Sequence, residues 1–237
     1  MIDVDFHAHS LFSTCGVHTV VEMLSAAQER GMAGLAITDH GPFLGGSANS
    51  VFFERLHDPV PGIRLLKGME CNLHPDNGTT DCPLHFLGFM DLVLLGFHDN
   101  VPVGLGCTAY TDLLIRTLEK NPFVDIVTHP NSRHFPVNYD ALAAAAKRLG
   151  VALELNNSKV HMKRVDDNET EALILACKRA GCDTVLSSDA HVLHEIGNDA
   201  DIRPLLVKHA FPEERIVNCS AQAAFDYVER RKERKKR

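Results

Sequence analysis

The chain has 237 residues, of which 45% are hydrophobic and 23% charged, and its formal net charge is −7. A chain of this size can bury enough apolar surface to fold as one globular domain without disulfides or a structural metal. No apolar run reaches the roughly 18 residues expected of a membrane span. Residues 1–7 lack the basic head and apolar stretch of a signal peptide. We therefore expect no membrane association.

Cysteine use and charge distribution add two expectations. Seven cysteines, an odd number with no Cys-x-x-Cys pair, indicate reduced thiols and a cytoplasmic location. Residues 230–237 (RRKERKKR) carry a net charge of +6, which leaves −13 on residues 1–229. We predict one domain over residues 1–229 and a basic C-terminal tail over 230–237. The tail is interpreted as a frayed, solvated helix end, with a weak nucleic-acid or partner contact as the alternative.

Seven short apolar runs alternate with helical patterns along the chain. In chain order, the predicted strands are Ile2–Phe6, Gly34–Thr38, Ile63–Met69, Asp91–Phe97, Val124–Thr128, Val151–Leu155 and Thr184–Ser188. The predicted helices between them are Thr19–Arg30, Ala109–Lys120, Asn138–Leu149 and Asn168–Ala180. Short, nearly continuous Val, Ile and Leu runs are typical of strands buried on both faces. The alternation predicts an α/β fold with parallel strands, in a barrel or a doubly wound sheet.

Two connections are unusually long. Residues 41–62 contain Gly45-Gly46 and Pro59-Val60-Pro61, with a short helix predicted around Val51–Leu56. Residues 71–83 form the second long connection. Long loops in compact domains often act as lids or determine specificity.

Ionisable residues follow six of the seven predicted strands. They occur in Asp5-Phe6-His7-Ala8-His9, Thr38-Asp39-His40, Gly68-Met69-Glu70, Gly96-Phe97-His98, Thr128-His129-Pro130 and Ser188-Asp189-Ala190-His191. Barrel and α/β enzymes place their sites at the carboxyl ends of strands. Strand six ends in Asn156-Asn157, which is polar but not interpreted as a ligand pair.

The spacing and residue types at these strand ends indicate a metal centre. In an extended backbone, residues two apart lie on the same side, so His7 and His9 can converge on one ion. Imidazole and carboxylate donors together suit Zn, Mn or Fe better than Ca or Mg. Each motif alone is weak evidence, but six strands ending in ligand-type residues at one rim predict more than one ion. Asp5 and Asp39 alternate with the ligands and are interpreted as supporting groups.

Together these motifs, with Leu153-Glu154-Leu155-Asn156-Asn157-Ser158, resemble the PHP (polymerase and histidinol phosphatase) superfamily over nearly the whole chain, and its YcdX-like phosphatase subgroup in particular. The resemblance implies a distorted (β/α)7 TIM-like barrel with a trinuclear metal centre at the C-terminal ends of its strands. It implies that one ion is held by His7, His9, Glu70 and Asp189. It further implies that Glu70 bridges to a second ion held by His98 and His129, and that His40 and His191 bind a third.

The third position departs from the family's pattern, which usually supplies another histidine from the loop after strand one. This chain has Cys15 there. A thiolate is a good zinc ligand and would favour zinc. The alternatives are that His18 completes the site, or that the site is weak or empty. Overall we predict two or three divalent transition-metal ions, with zinc favoured over manganese or iron.

The predicted activity is that of a metal-dependent phosphoric monoester hydrolase, in which a metal-bridging hydroxide attacks a small-molecule phosphomonoester. Glu70, Asp189 and His191 are the predicted catalytic residues. Four cationic side chains near the mouth are predicted to bind substrate, with simple surface charge as the alternative for each: Arg133, Lys159, Lys163 and Arg164. His134 and His161 could also approach the substrate.

Other functions stay open. A nucleotide phosphoesterase or an exonuclease acting on nucleic-acid ends would use similar metals, but the acidic charge, with three Tyr and no Trp, argues against extended nucleic-acid binding. A non-catalytic metal-binding module and an amidohydrolase are further alternatives. Amidohydrolases often have a lysine at strand four, where this chain has His98. The resemblance is compatible with a homo-oligomer.

Overall fold

Seven parallel strands form one sheet in the computed structural model, which describes residues 2–235. The strands are β1 (Val4–Asp5), β2 (Gly34–Ile37), β3 (Arg64–Asn72), β4 (Leu92–Gly96), β5 (Ile126–Val127), β6 (Ala152–Asn156) and β7 (Thr184–Ser187). Each pairs with the next in chain order. The seven predicted strands are therefore confirmed, with ends that differ by at most three residues.

The sheet curls until its first and last strands meet. Just beyond β1 and β7, Ala8 and Ala190 form a parallel bridge. The amide of Asn218 fills the gap between the strands lower down: its Nδ2 donates to the carbonyl oxygens of Val4 (3.0 Å) and Leu186 (2.7 Å). Its Oδ1 accepts a hydrogen bond from the backbone N–H of Leu186. The result is the nearly closed, distorted seven-stranded barrel that the resemblance implies.

Helices cover the outside of this barrel. They are α1 (Val20–Glu29), α2 (Cys107–Lys120), α3 (Tyr139–Leu149), α4 (Asn157–His161), α5 (Asp167–Ala180), α6 (Arg203–Lys208) and α7 (Ala221–Lys235). Thr19 and Glu22 form a capping box at the start of α1. Gly150 ends α3 in the left-handed conformation, with φ 64°, which glycine adopts without strain. The four predicted helices are confirmed within two residues at each end.

Two apolar cores result from the alternation of side chains along the strands. Residues pointing outward pack under the helices, as Leu65, Val93 and Leu153 do. Residues pointing inward fill the barrel, among them Val4, Leu66, Leu94, Ile126, Ala152 and Val185. Ala224, Tyr227 and Val228 of α7 belong to this inner core, so α7 closes the amino-terminal end of the barrel. The opposite end of the barrel, where the carboxyl ends of the strands lie, is not covered by α7 and carries polar groups.

The prediction that residues 230–237 form a solvated tail is wrong for Arg231 and Lys235. Arg231 is 3% exposed, and its Nε lies 2.5 Å from Asp125 Oδ1. Lys235 is also buried, with its Nζ 2.5 Å from Asp125 Oδ2. The basic run therefore continues α7 and anchors it beneath β5. Lys236 and Arg237 lie outside the described residues.

The long connection after β2 contains a 3-10 turn at Pro42–Leu44 and a π-helical turn at Val51–Arg55. The second of these confirms the short helix predicted there. Further 3-10 turns lie at Leu84–Phe89, Leu193–Glu195 and Glu213–Arg215. Within residues 2–235, no helix combines the length and apolar character needed to cross a bilayer.

Candidate metal centre

On several strands the inward-facing positions change from apolar to ionisable toward the open end of the barrel. On β3, Leu66 lies in the inner core and Glu70, four residues further, lies on the same face at the open end. On β6, Ala152 lies in the core and Glu154 follows two residues later. The period of two that fills the barrel thus also aims carboxylates into its mouth. All nine predicted donors meet in this region, although their role as ligands stays a prediction.

The deepest donors come from the ends of β1, β3 and β7. His7 Nε2 lies 3.0 Å from His9 Nε2 and 3.3 Å from Glu70 Oε2. His9 Nε2 lies 3.2 Å from Asp189 Oδ1. All four side chains are buried. Donor atoms around one tetrahedral zinc ion, at bonds of about 2.0–2.2 Å, are about 3.3–3.6 Å apart, so these four fit one ion with little movement.

Glu70 faces two groups of histidines with its two oxygens. Oε2 lies 3.0 Å from His40 Nδ1, on the side of His7. Oε1 lies 2.9 Å from His129 Nε2 and 3.2 Å from His98 Nε2. A carboxylate placed between two sets of nitrogen donors has the geometry to bridge two cations.

A third group of donors lies at the rim, around Cys15. The Cys15 sulfur lies within 4.8 Å of donor nitrogens of His9 and His40, and it also interacts with the imidazole of His191. His18 interacts instead with Glu22 at the start of α1. Of the two residues left open by the sequence, the structure brings Cys15 into the cluster.

Unpartnered imidazole nitrogens test whether these residues suit metal ions. Both ring nitrogens of His98 and the Nδ1 of His40 are buried and have no hydrogen-bond partner within residues 2–235. Buried polar atoms are nearly always satisfied, so such nitrogens need another explanation. His98 Nε2 and His40 Nδ1 lie 3.2 Å and 3.0 Å from the Glu70 oxygens, at hydrogen-bond distance but without hydrogen-bond alignment, which suits lone pairs directed at a shared cation.

Glu154 is the supporting residue that sequence reasoning missed. Its Oε1 accepts a hydrogen bond of 2.6 Å from His7 Nδ1, and its Oε2 accepts one of 2.6 Å from the backbone N–H of His129. A carboxylate on Nδ1 leaves Nε2 of His7 free as a donor to a metal. The sequence signal that could have identified it is spacing. Glu154 and Asn156 are two residues apart on β6, so their side chains point to the same side of the strand, into the barrel. Asn156 Nδ2 donates to Asp189 Oδ2 at 3.1 Å.

Asp5 and Asp39 support the site through the backbone and through serines, as predicted. Asp5 accepts hydrogen bonds from the backbone N–H groups of Ser188 (3.2 Å) and Gly197 (3.0 Å). Asp39 accepts from the hydroxyls of Ser10 and Ser13, both at 2.6 Å. These bonds fix the chain on either side of the ligand positions.

The buried carboxylates are held in their charged form. Burial alone would raise the pKa of Glu70, but the charges of His7 and His98 and hydrogen bonds from other histidines hold it well below its usual value. Burial likewise opposes ionisation of Asp189, but Lys159 and His7 hold its pKa well below the usual range. Burial lowers the pKa of His9 to about 3, so its imidazole stays neutral. These carboxylates and the neutral imidazole of His9 have the protonation states that a divalent cation needs. Burial opposes protonation of His7, but Glu70, Asp189 and Glu154 raise its pKa well above the usual value, so His7 would lose a proton on binding a cation.

The thiol of Cys15 is also activated. Burial raises its pKa, but hydrogen bonds with His191 and His40 outweigh burial and lower the pKa to about 6. Burial lowers the pKa of His40, but its contacts with Cys15 and Glu70 outweigh burial and raise the pKa to about 10.

A cleft of about 690 Å³ opens above these donors. Three of the four predicted substrate-binding residues line it, namely Arg133, Lys159 and Arg164. Lys159 Nζ lies 2.8 Å from Asp189 Oδ2, and Arg133 pairs with Asp166. The fourth, Lys163, does not line the cleft as the described residues form it, so the structure does not support its predicted role. His134 lines the cleft, whereas His161 pairs with Asp201 outside it.

The fold and the cluster together define a class, a parallel α/β barrel with a metal-binding centre at the carboxyl ends of its strands. The PHP domain model matches residues 5–228, and the chain belongs to this family. The chain is 35% identical over 232 residues to a protein of Shewanella sediminis (strain HAW-EB3) named "Probable phosphatase", covering 96% of this chain and 94% of that protein. The family match decides against an amidohydrolase.

Two solved structures share the fold at low identity. One is a histidinol phosphate phosphatase from Lactococcus lactis, complexed with zinc, L-histidinol and phosphate. Its TM-score is 0.61 at 17% identity, over 88% of this chain and 94% of that chain. The other is a chain of archaeal ribonuclease P with mature tRNA, with TM-score 0.61 at 16% identity, over 96% of this chain and 90% of that chain. At these identities the likeness concerns the fold.

Proposed function

We propose that this protein is a metal-dependent phosphatase that hydrolyses small-molecule phosphomonoesters. The observation that carries the proposal is Glu70, a buried carboxylate with each oxygen within 3.3 Å of a different group of imidazoles. The name of the Shewanella relative and the zinc and phosphate of the Lactococcus structure support the same activity.

The proposed ligands form three overlapping sets. His7, His9, Glu70 and Asp189 would hold one ion, while Glu70, His98 and His129 would hold a second. Cys15, His40 and His191 would hold a third. When bound, such cations make a water molecule nucleophilic near neutral pH and neutralise charge on the phosphate oxygens.

The protein's own groups position these donors and the substrate. Glu154 holds His7 in the tautomer that presents Nε2. The ammonium group of Lys159 pairs with the second carboxylate oxygen of Asp189 and adds positive charge to the lining of the cleft. Arg164 also lines the cleft, and its guanidinium would bind phosphate oxygens there.

The shape of the cleft favours a small substrate. Phe97, Phe135 and Val165 form apolar parts of its lining, which suits the alcohol portion of a monoester. A nucleotide phosphoesterase or an exonuclease is the alternative. The two cations that α7 buries against Asp125 are unavailable for nucleic acid, which weighs against it. Cytoplasmic location and a homo-oligomer stay predictions.

Metal analysis followed by a substrate panel tests the proposal. Protein purified without added metal should contain two or three Zn, Mn or Fe ions per chain. It should hydrolyse p-nitrophenyl phosphate faster than bis-p-nitrophenyl phosphate or a short oligonucleotide. Faster cleavage of either diester would favour the nuclease alternative. Bound metal without hydrolysis of any of the three esters would indicate a non-catalytic module.

A further inference from the structure

Cys15 is delivered to the cleft by a short loop tied to the end of β2. Ser13, two residues before it, donates from Oγ to Asp39 Oδ1 at 2.6 Å. The same oxygen accepts a hydrogen bond of 2.9 Å from the backbone N–H of His40. These two hydrogen bonds tie the loop to the backbone of Asp39-His40 at the end of β2.

The residue after Cys15 shows how tightly this loop is folded. A Cβ added at Gly16 would lie 2.0 Å from the carbonyl oxygen of Ser10, which no side chain can tolerate. The backbone N–H of Gly16 donates to the carbonyl of Ser13 at 3.3 Å. The position of the thiol is thus set by packed backbone as well as by side-chain contacts.

Three imidazoles surround the thiol. The ring of His9 lies with its centroid 4.5 Å from that of His40 and 4.5 Å from that of His191. The Nδ1 of His40 is buried without an aligned hydrogen-bond partner among residues 2–235. This nitrogen lies 3.0 Å from Glu70 Oε2, so the imidazole of His40 stands between the inner carboxylate and the thiol, where donors of both groups adjoin.

The remaining donors of the cluster are nitrogen and oxygen atoms. Cys71 adjoins Glu70 in the sequence, but it packs in the outer core under the helices. Cys15 is therefore the sulfur donor of the cluster in the described part of the chain. Soft thiolate ligands select zinc and similar ions, whereas carboxylates also suit manganese.

We propose that Cys15 makes the outer cation position, which it shares with His40 and His191, selective for a thiophilic divalent ion such as Zn²⁺. The inner positions, built from imidazoles and carboxylates, accept Mn²⁺ as well. In a cell that supplies both ions, the centre would then hold two kinds of metal. This inference rests on the proposed function only in requiring that the centre binds metal.

Cobalt substitution reports directly on the sulfur ligand. Metal-free protein reloaded with Co²⁺ should show a sulfur-to-cobalt charge-transfer band in the near ultraviolet. The band should be lost in Cys15→Ser, which should also bind one zinc ion fewer per chain. Cys15→His should restore the third ion without restoring the band. Cys107→Ser and Cys219→Ser, which change exposed cysteines outside the cluster, should keep both the band and the metal content.

Metal competition tests the selectivity itself. Protein saturated with Mn²⁺ should release one Mn²⁺ per chain when one equivalent of Zn²⁺ is added, and Cys15→His should release less. Iodoacetamide should alkylate Cys15 in the manganese form and be blocked in the zinc form. A Cys15→Ser protein that retains the band and the full zinc content overturns the inference. A band that depends on Cys15, in a protein that hydrolyses no phosphate ester, would instead refute the proposed function.

Discussion

Glu70 is the residue on which the site depends most. It is 1% exposed, yet its pKa is held well below the usual value, because surrounding histidines outweigh the cost of burying its charge. A buried charge persists only where other charges or hydrogen bonds compensate it. Glu70 therefore has a function in the charged form, which we propose is to bridge two cations.

Replacing Glu70 with Gln tests that bridging role. Glu70→Gln should lose metal and activity together, with kcat/KM falling by about a thousandfold or more, as for removal of a main electrostatic group. Metal content and turnover are measured on the same preparation. Glu54→Gln, an exposed change outside the site, is the matched control. A fully metallated Glu70→Gln protein with near-normal turnover would exclude the bridging role.

Replacing Glu154 tests the role of a residue that positions a proposed metal ligand, His7, but is not itself proposed to bind metal. In Glu154→Gln the amide no longer accepts the proton of His7 Nδ1 as strongly, so metal affinity should fall about 10–100-fold. Because the ligands themselves remain, excess metal should restore most of the activity. Competition against a chelator measures the affinity, again beside Glu54→Gln. Unchanged affinity would show that backbone packing alone orients His7.

At the scale of elements, the period of two along β3 and β6 explains both part of the core and two carboxylates of the site. The same faces that bury Leu66 and Ala152 at the closed end present Glu70 and Glu154 at the open end. A shift of one residue in the register of a strand would turn its donor out of the barrel. Core packing therefore holds the register that the metal centre needs.

Helix α7 closes the opposite end through a buried ion pair. Arg231→Ala would leave Asp125 buried without its main partner, which should cost about 3–5 kcal/mol of unfolding free energy. Arg230→Ala, an exposed change one residue earlier, should cost less than about 0.5 kcal/mol. Urea unfolding of both variants measures the difference. Equal stabilities would mean that Lys235 alone compensates Asp125.

At the scale of the whole molecule, the barrel mouth gathers negative charge that cations should relieve. Charged Glu70, Asp189 and Glu154 lie within one buried cluster, so bound metal should stabilise the folded state. Ligand at about one hundred times its Kd adds about 2.7 kcal/mol. For a chain of this length that corresponds to a rise in Tm of about 5–10 °C.

Chelation measures this coupling. A chelator should lower the Tm of the wild type by about 5–10 °C, and adding zinc back should reverse the change. Glu70→Gln should show a much smaller response, because its inner positions bind metal poorly. A wild-type Tm that does not respond to chelator would indicate that the clustered charges are balanced within the protein.

The strands, the main helices and the donor residues could be read from the sequence because their signals are local. Apolar runs mark buried strands, and His7, Glu70 and His129 each follow such a run directly. Parallel strands in a barrel then bring their carboxyl ends to one rim, whatever the details of packing. Residue identity and chain order were enough for that conclusion.

Only the tertiary structure showed which side chains of the site and of α7 contact one another. Glu154 lies on a predicted strand like any other residue, and only the closed barrel places it 2.6 Å from His7, 147 positions earlier in the chain. The basic run at the C-terminus reads as solvated until Asp125, buried beneath β5, is seen to neutralise Arg231. The choice of Cys15 over His18 likewise depended on a loop folded against Asp39. Such contacts join segments that are far apart in the chain. The local sequence around a charged residue therefore does not show which side chain compensates its charge.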